Sequence, residues 1–407
     1  MLDVLILGAG PAGLFAADRL AARGYSVAVV DQMPSPARKF LMAGRGGLNL
    51  THSEDLSAFL SRYREAEDFL APLVREFPPQ ALRDWCHDLG QETFVGSSGR
   101  IFPTVMKASP LLRSLLRRLE KNGVELRARQ RFTGFSKDGL PAIEPENGRH
   151  YTLPAKTIML AMGGASWPKL GSDAGWVPAL EEHGIEVNRF QPSNCGFQVA
   201  WSPFLRDRFA GSPLKRIALK LGENIVQGEA LISEKGLEGG AVYALSAEIR
   251  ETINTTGIAE LRIDLRPSTS VEELTRKLSR PRGKQSFATF LKKTLKLHPV
   301  EQALVREAGP FPEDQSTLAR LIKSVPVTCT APYPIDRAIS SAGGIALDEL
   351  NDGLMLKKLP GVFAAGEMLD WEAPTGGYLL QACFAMGYRA ANGIVEYLKS
   401  TKEGQAE

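Results

Sequence analysis

Residues 1–32 read MLDVLILGAGPAGLFAADRLAARGYSVAVVDQ, and the order of residue types in this stretch decides the fold. LDVLILG at 2–8 is a continuous apolar run of strand length, and AGLFAADRLAAR at 12–23 places apolar residues at helical spacing ahead of Gly24. YSVAVVDQ at 25–32 is a second strand. Strand, glycine turn, helix and strand within about 30 residues make a βαβ unit, whose right-handed crossover requires a parallel sheet. The beginning of the chain is therefore α/β.

The turn itself is Gly8-Ala9-Gly10-Pro11-Ala12-Gly13, with Asp31 at the end of the next strand. The first glycine of such a turn makes it tight, the second lets backbone approach a pyrophosphate, and the third lets helix and strand pack closely. The helix N-terminus then offers free N–H groups and its dipole to phosphate, and the acid accepts hydrogen bonds from a ribose. The bland alternative is a glycine-rich turn with no ligand; the correct flanks and the acid favour a dinucleotide. The fingerprint alone leaves NAD and FAD open. Two distant segments distinguish them: Ala161-Met162-Gly163-Gly164 at a strand end, and Gly361 to Glu367 (GVFAAGE) leading to Pro374-Thr375-Gly376-Gly377-Tyr378-Leu379-Leu380-Gln381 at a helix start. An NAD site needs no such remote segments, whereas a cofactor as extended as FAD does.

Outward from these motifs, residues 33–53 are rich in Gly, Pro and Ser, 54–90 read helical, a strand lies near 92–102, and a helix covers 108–122. The run TIMLAMGG at 157–164 is another buried strand, followed by a helix near 173–183. From 190 to 330 the texture changes to hairpins and then Lys- and Arg-rich helices, which reads as an insertion. GVFAAGEML at 361–369 returns to a buried strand, with a helix near 377–398. The expected organisation is a first FAD-binding part over 1–189, an inserted β-rich plus helical substrate or cap domain over 190–330, and a second FAD-binding part over 331–407. No internal repeat or low-complexity tract is present.

Composition excludes several classes. With 407 residues, 43% hydrophobic and 23% charged, the chain is neither disordered nor a small stapled scaffold. A net charge of +3 is too mild to make nucleic acid or an anionic membrane the main partner. Cys86, Cys195, Cys329 and Cys383 lie far apart with no C-x-x-C pair, so no local metal or dithiol motif exists, and a reducing cytoplasm is the expected location. The apolar start lacks a basic region ahead of it, and no run of about 18 uncharged apolar residues occurs, so no signal peptide or membrane span is expected.

At this point the residues resemble the two-dinucleotide-binding-type flavoproteins, specifically the BaiN/RdsA-like (YhiN-like) bacterial NAD(P)/FAD-dependent oxidoreductases. The resemblance covers nearly the whole chain. It rests on Gly8 to Gly13, Lys39 to His52 (KFLMAGRGGLNLTH), Phe102-Pro103, Ala161 to Ser166, Gly236 to Ser246 (GLEGGAVYALS) and, most specifically, Gly366 to Gln381 (GEMLDWEAPTGGYLLQ). It implies a Rossmann-like FAD domain assembled from both ends of the chain, with the inserted domain roofing the isoalloxazine. One departure stands out. Where the family usually reads S-G-G-G-R-C-N-x-T-N, this chain has AGRGGLNLTH at 43–52, so Arg-Cys has become Gly47-Leu48, and Arg45 is the candidate replacement for the displaced guanidinium. The chain reads as a divergent subfamily.

The nominated cofactor residues are Gly8, Gly10, Ala12, Gly13, Asp31, Gln32, Lys39, Gly44, Arg45, Gly46, Gly47, Ala161, Gly163, Gly164, Gly366, Glu367, Gly376, Gly377, Tyr378, Leu379 and Gln381. Asn49, Thr51, His52 and Tyr378 are the catalytic candidates: Asn49 and Thr51 as hydrogen-bonding groups beside the flavin, or polar loop residues capping the next helix, and His52 as a proton carrier. His87, His150, His183 and His298 receive no role. Trp167, Trp176 and Trp371 flank the motifs and either wall the site or pack in the core.

The expected function is FAD-dependent oxidoreduction of a small organic molecule, either reduction of an activated double bond or oxidation of a small amine or ketone. FAD is held non-covalently. NAD(P)H, if used, binds transiently over the flavin, since no second G-x-G-x-x-G is present. The alternative is a flavin-binding redox sensor or RNA-associated flavoprotein using residues 274–300, which hold eight Lys and Arg and no Asp or Glu. Such a run is more often a solvated helix face. The sequence says nothing of oligomeric state.

Overall fold

The computed structural model describes residues 1–44 and 46–403. Contacts divide the chain into two units, Met1–Gln191 with Ser340–Glu407, and Pro192–Ile339.

The first unit is built on a five-stranded parallel sheet. Strand β1 (Leu2–Leu7) lies at its centre, helix α1 (Pro11–Ala21) follows, and β2 (Val27–Asp31) pairs beside β1 in the register Val4↔Val27. Strand Ala155–Leu160 flanks β1 on the other side, with Val362–Ala364 beyond it and Glu125–Ala128 beyond β2. Successive strands therefore leave β1 in opposite directions. The carboxyl ends of β1 and Ala155–Leu160 mark the switch point where α/β sheets hold ligands. Val4, Leu5, Ile6 and Leu7 are buried on both faces of the sheet, which explains the unbroken apolar run.

Two glycines of the turn are required by packing alone. Gly8 has φ +109°, and a Cβ there would lie 2.2 Å from the Ala161 carbonyl oxygen. A Cβ at Gly13 would lie 2.1 Å from the Gly8 carbonyl oxygen. The C-terminal helix, Tyr378–Glu403, packs along α1, with Gly387 set against the backbone of Ala12. Asp18 of α1 is buried and accepts from Trp85 Nε1 at 2.9 Å and Arg118 Nε at 2.8 Å, tying α1 to the helices Pro79–Asp88 and Ala108–Lys121.

Local boundaries shift from the sequence reading. Residues 33–53 contain a short helix, Arg38–Ala43. The strand expected at 92–102 is a hairpin, Thr93–Val95 with Arg100–Pro103, turned by Gly99 at φ +80°. The strand expected at 361–369 stops at Ala364, and the helix expected at 173–183 is only Val177–Glu181.

The second unit carries a seven-stranded sheet, in order Val325–Cys329, Ala259–Asp264, Ser212–Leu221, Asn224–Ser233, Gly236–Glu238, Phe197–Gln198 and Ala331–Pro332. Its paired strands are antiparallel, and Ala259, Leu261 and Ile263 show the period-two burial of a one-sided sheet. Residue 330 falls inside this unit, because Ala331–Pro332 bonds to Phe197–Gln198 and carries the chain on to Ile339. The basic stretch forms the helices Val271–Leu278 and Phe287–Leu295, whose Leu274, Leu278, Phe290 and Leu291 face the core. Arg276, Arg280, Arg282, Lys284, Lys292, Lys293 and Lys296 are exposed.

Among the described residues, no helix is long and apolar enough to cross a membrane.

Candidate active site

A cleft opens at the switch point of the parallel sheet. Of the nominated residues, Gly8, Gly10, Ala12, Asp31, Gln32, Lys39, Ala161, Gly163, Gly366 and Glu367 line it. Sequence-distant segments thus converge on one elongated space.

Gly10 separates from its neighbours here. Its φ of −85° and ψ of −176° suit any residue, and among the described residues a Cβ there would meet no atom nearer than the Ala161 carbonyl oxygen at 4.0 Å. Neither backbone strain nor packing calls for glycine at this position, which faces the cleft. The glycine keeps open a cradle against the first turn of α1, whose leading N–H groups have no acceptor within the helix. That is the fit expected for a pyrophosphate.

Asp31 holds the turn. Its Oδ2 accepts from the Ala9 N–H at 2.7 Å and its Oδ1 from the Met33 N–H at 2.8 Å. Burial raises its carboxyl pKa, against the two backbone bonds that lower it. A carboxylate has about four acceptor positions, so two bonds leave room for ribose hydroxyls. Gln32 Nε2 donates to the Gly171 carbonyl at 2.9 Å, closing the rim at that end. Lys39 Nζ donates to Glu367 Oε2 at 2.6 Å, and Glu367 Oε1 accepts from the Ser341 N–H at 3.0 Å. The cation and anion nominated separately are one pair. Cys383 also lines the cleft, and burial pushes its thiol up to about 12.

A second group of nominated residues lies where the loop after Ala43 meets the start of the C-terminal helix. A Cβ on Gly377, at φ +97°, would lie 2.5 Å from the Thr51 Cα. Thr51 is fully buried and its Oγ1 has no partner among the described residues; the buried Oδ1 of Asn49 has none either. Two orphaned oxygens on one loop are costly unless a ligand or an ordered water satisfies them. Gly44 lies against Ala108, Gly47 against Met106, and Gly164 against Ser341, each too close for a side chain. Gly46 has no such neighbour, and Arg45 lies outside the described residues. Leu48, where the family pattern has cysteine, is buried in the core. Leu379 packs against the same core, and Gln381 donates through Nε2 to the Phe77 carbonyl at 2.7 Å while its buried Oε1 has no partner among the described residues.

His52 is placed differently from its sequence assignment. Its Nδ1 accepts from the Glu54 N–H at 3.1 Å, so Nε2 carries the proton toward the Ser98 carbonyl at 3.0 Å. Neither nitrogen is left for proton transfer in this arrangement. Trp176 and Trp371 serve the glycine turns, donating to the carbonyls of Gly163 and Gly366 at 2.9 Å each.

The sequence reading missed two residues. Arg38 lines the cleft with a buried Nε that has no partner among the described residues. Its place beside Lys39 was the available signal. Glu54 accepts from the Tyr378 hydroxyl across 324 positions of sequence, a separation that no local pattern reveals.

The HI0933-like protein Rossmann domain family matches residues 2–393. The chain belongs to this family. A 3-dehydro-bile acid delta(4,6)-reductase of Clostridium scindens is 25% identical to this HI0933-like protein, over 96% of this chain and 98% of the relative. A ribosomal RNA dihydrouridine synthase of Escherichia coli is 24% identical, over 97% and 98%. The open conformation of a flavocytochrome c3 fumarate reductase shares the fold at a TM-score of 0.55 and 16% identity, over 97% of this chain and 78% of that one.

Proposed function

We propose that this HI0933-like protein binds FAD non-covalently along the cleft and reduces a carbon–carbon double bond conjugated to a carbonyl in a small organic substrate, with NAD(P)H as electron donor. The observation that supports cofactor placement is Gly10, a cleft-facing glycine that no contact among the described residues requires. Support for the substrate class comes from the two relatives. A delta(4,6) 3-dehydro-bile acid and a uridine both carry an alkene conjugated to a carbonyl, although they differ in every other respect.

FAD, when bound, supplies the transfer of a hydride equivalent. The chain's own residues hold it. The first turn of α1 takes the pyrophosphate, Asp31 the ribose, and Arg38 the phosphate charge that Lys39 cannot serve while paired with Glu367. Asn49 Oδ1 and Thr51 Oγ1, the two orphaned oxygens, would help to hold the flavin ring system. The first turn of the C-terminal helix, whose leading N–H groups have no acceptor within the helix, would serve the N1 and C2-carbonyl edge of the flavin.

Purified protein should be yellow, and heating should release FAD into the supernatant. Flavin that stays with the precipitated chain would contradict non-covalent binding, and absence of flavin would contradict the whole reading. Asp31→Ala should weaken FAD retention about tenfold, the scale of one charge-assisted hydrogen bond. An unchanged affinity removes the ribose assignment.

A second reading, action on RNA, is favoured by the exposed Arg276, Arg280, Arg282, Lys284, Lys292, Lys293 and Lys296 on and between the helices Val271–Leu278 and Phe287–Leu295 and by the name of the Escherichia coli relative. RNA binding that falls steeply with salt, and is lost on neutralising Arg280, Arg282 and Lys284, would favour it over a free small substrate.

A further inference from the structure

We propose that Glu54 is a positioning residue of the redox site: by accepting the Tyr378 hydroxyl it fixes the first turn of the C-terminal helix, and so sets how strongly that turn stabilises negative charge on the cofactor. The inference rests on the reading that this turn faces the flavin.

Tyr378 is the first residue of the helix and is held at three places. Its hydroxyl donates to Glu54 Oε1, its ring stacks on His52 with centroids 5.7 Å apart, and its carbonyl accepts from the Tyr63 hydroxyl at 3.0 Å. The ring folds back over Gly376, where a Cβ would lie 2.5 Å from it. Every one of these partners comes from the segment 52–63, immediately after the loop that carries the orphaned Asn49 and Thr51 oxygens. Glu54 is itself fixed, since Arg62 Nη2 donates to its Oε2 at 2.9 Å and its side chain is only 16% exposed.

The chemistry excludes two other roles. The Arg62 and Tyr378 hydrogen bonds hold the Glu54 carboxyl below its ordinary pKa despite its burial, so it is ionised and has no proton to deliver. Burial and the Glu54 bond raise the Tyr378 phenol far above its ordinary value, so the hydroxyl remains a donor rather than an acid. What is left is geometry. A negative group acting directly on the flavin would oppose charge on the ring, whereas a clamp on the helix turn favours it. The two possibilities therefore differ in sign.

The test measures the dissociation constant for sulfite, which adds to oxidised flavin and leaves negative charge at the N1 edge. It uses holoenzyme carrying Glu54→Ala, Glu54→Gln, Tyr378→Phe and the Ala/Phe double change. Positioning predicts that Glu54→Ala and Tyr378→Phe each weaken sulfite binding about tenfold, that the double variant is no weaker than either, and that Glu54→Gln, which keeps an acceptor for the hydroxyl, is close to wild type. Tighter sulfite binding in Glu54→Ala, with Tyr378→Phe unchanged, identifies a direct charge effect and overturns the proposal. So does a lowered melting temperature with unaltered sulfite affinity, the mark of a merely structural contact. Failure of the wild-type holoenzyme to bind sulfite overturns the reading that the turn faces the flavin, and the proposal with it.

Discussion

Gly10→Ala is expected to give a folded protein that has lost most of its FAD, whereas Gly8→Ala and Gly13→Ala are expected not to fold. The three positions look equivalent in the turn, but their surroundings are opposite. An added methyl at Gly8 or Gly13 meets backbone oxygen at 2.2 or 2.1 Å, and at Gly8 the φ of +109° adds strain. These contacts lie where β1, α1 and strand Ala155–Leu160 meet, so relief requires separating the centre of the sheet from its helix. About 3 kcal/mol or more is the expected cost, a large fraction of a domain's stability. At Gly10 the same methyl enters the cleft. Melting of the cofactor-free protein should change by less than about 0.5 kcal/mol, in line with a substitution that touches nothing. FAD should bind at least about tenfold more weakly, because the methyl stands between phosphate and the N–H groups of α1. Calorimetric melting of apoprotein and titration with FAD separate the two outcomes, and a Gly10→Ala protein with wild-type FAD affinity would remove the pyrophosphate from this turn.

Gly377→Ala is expected to disturb the redox site more than the fold. The added Cβ would meet the Thr51 backbone at 2.5 Å at a φ of +97°. The helix can yield only by moving its first turn away from the loop that carries Asn49 and Thr51. A helix terminus contributes roughly 0.3–2 kcal/mol toward a nearby charge. Losing about 1.4 kcal/mol of that would lower a one-electron potential by about 59 mV. Potentiometric titration should therefore show a fall of tens of millivolts, with the far end of the cleft still retaining FAD. An unchanged potential in a folded variant would mean that the helix start packs into the core without an electronic role.

How much of this was readable beforehand depends on the range of the interaction. The βαβ unit, its glycines and Asp31 follow from local periodicity, and the structure gives them parallel neighbours in register. The convergence of Gly163, Gly366 and Glu367 on the same cleft was foreshadowed by small residues at strand ends. What distinguishes Gly10 from Gly8 was not readable, because the reason lies in Ala161, 151 positions away from Gly10. His52 reads in the sequence as a proton carrier, and only the fold brings the Glu54 N–H and the Ser98 carbonyl to its two nitrogens. Lys39 and Glu367 looked like two cofactor ligands, and their pairing depends on a fold that brings them within 2.6 Å. The limit of the second unit was misplaced because Ala331–Pro332 is a two-residue strand, too short to show a period.

The most direct measurement of the proposed reaction is the oxidative half-reaction without oxygen. Photoreduced enzyme is mixed in a stopped-flow instrument with an α,β-unsaturated ketone, with the corresponding isolated alkene, and with buffer, and the return of oxidised flavin absorbance is followed. The account predicts rapid, saturable reoxidation by the conjugated ketone with formation of the saturated ketone, and none by the isolated alkene. Reduced flavin that survives a panel of conjugated ketones but is reoxidised by an imine or by oxygen alone would contradict it.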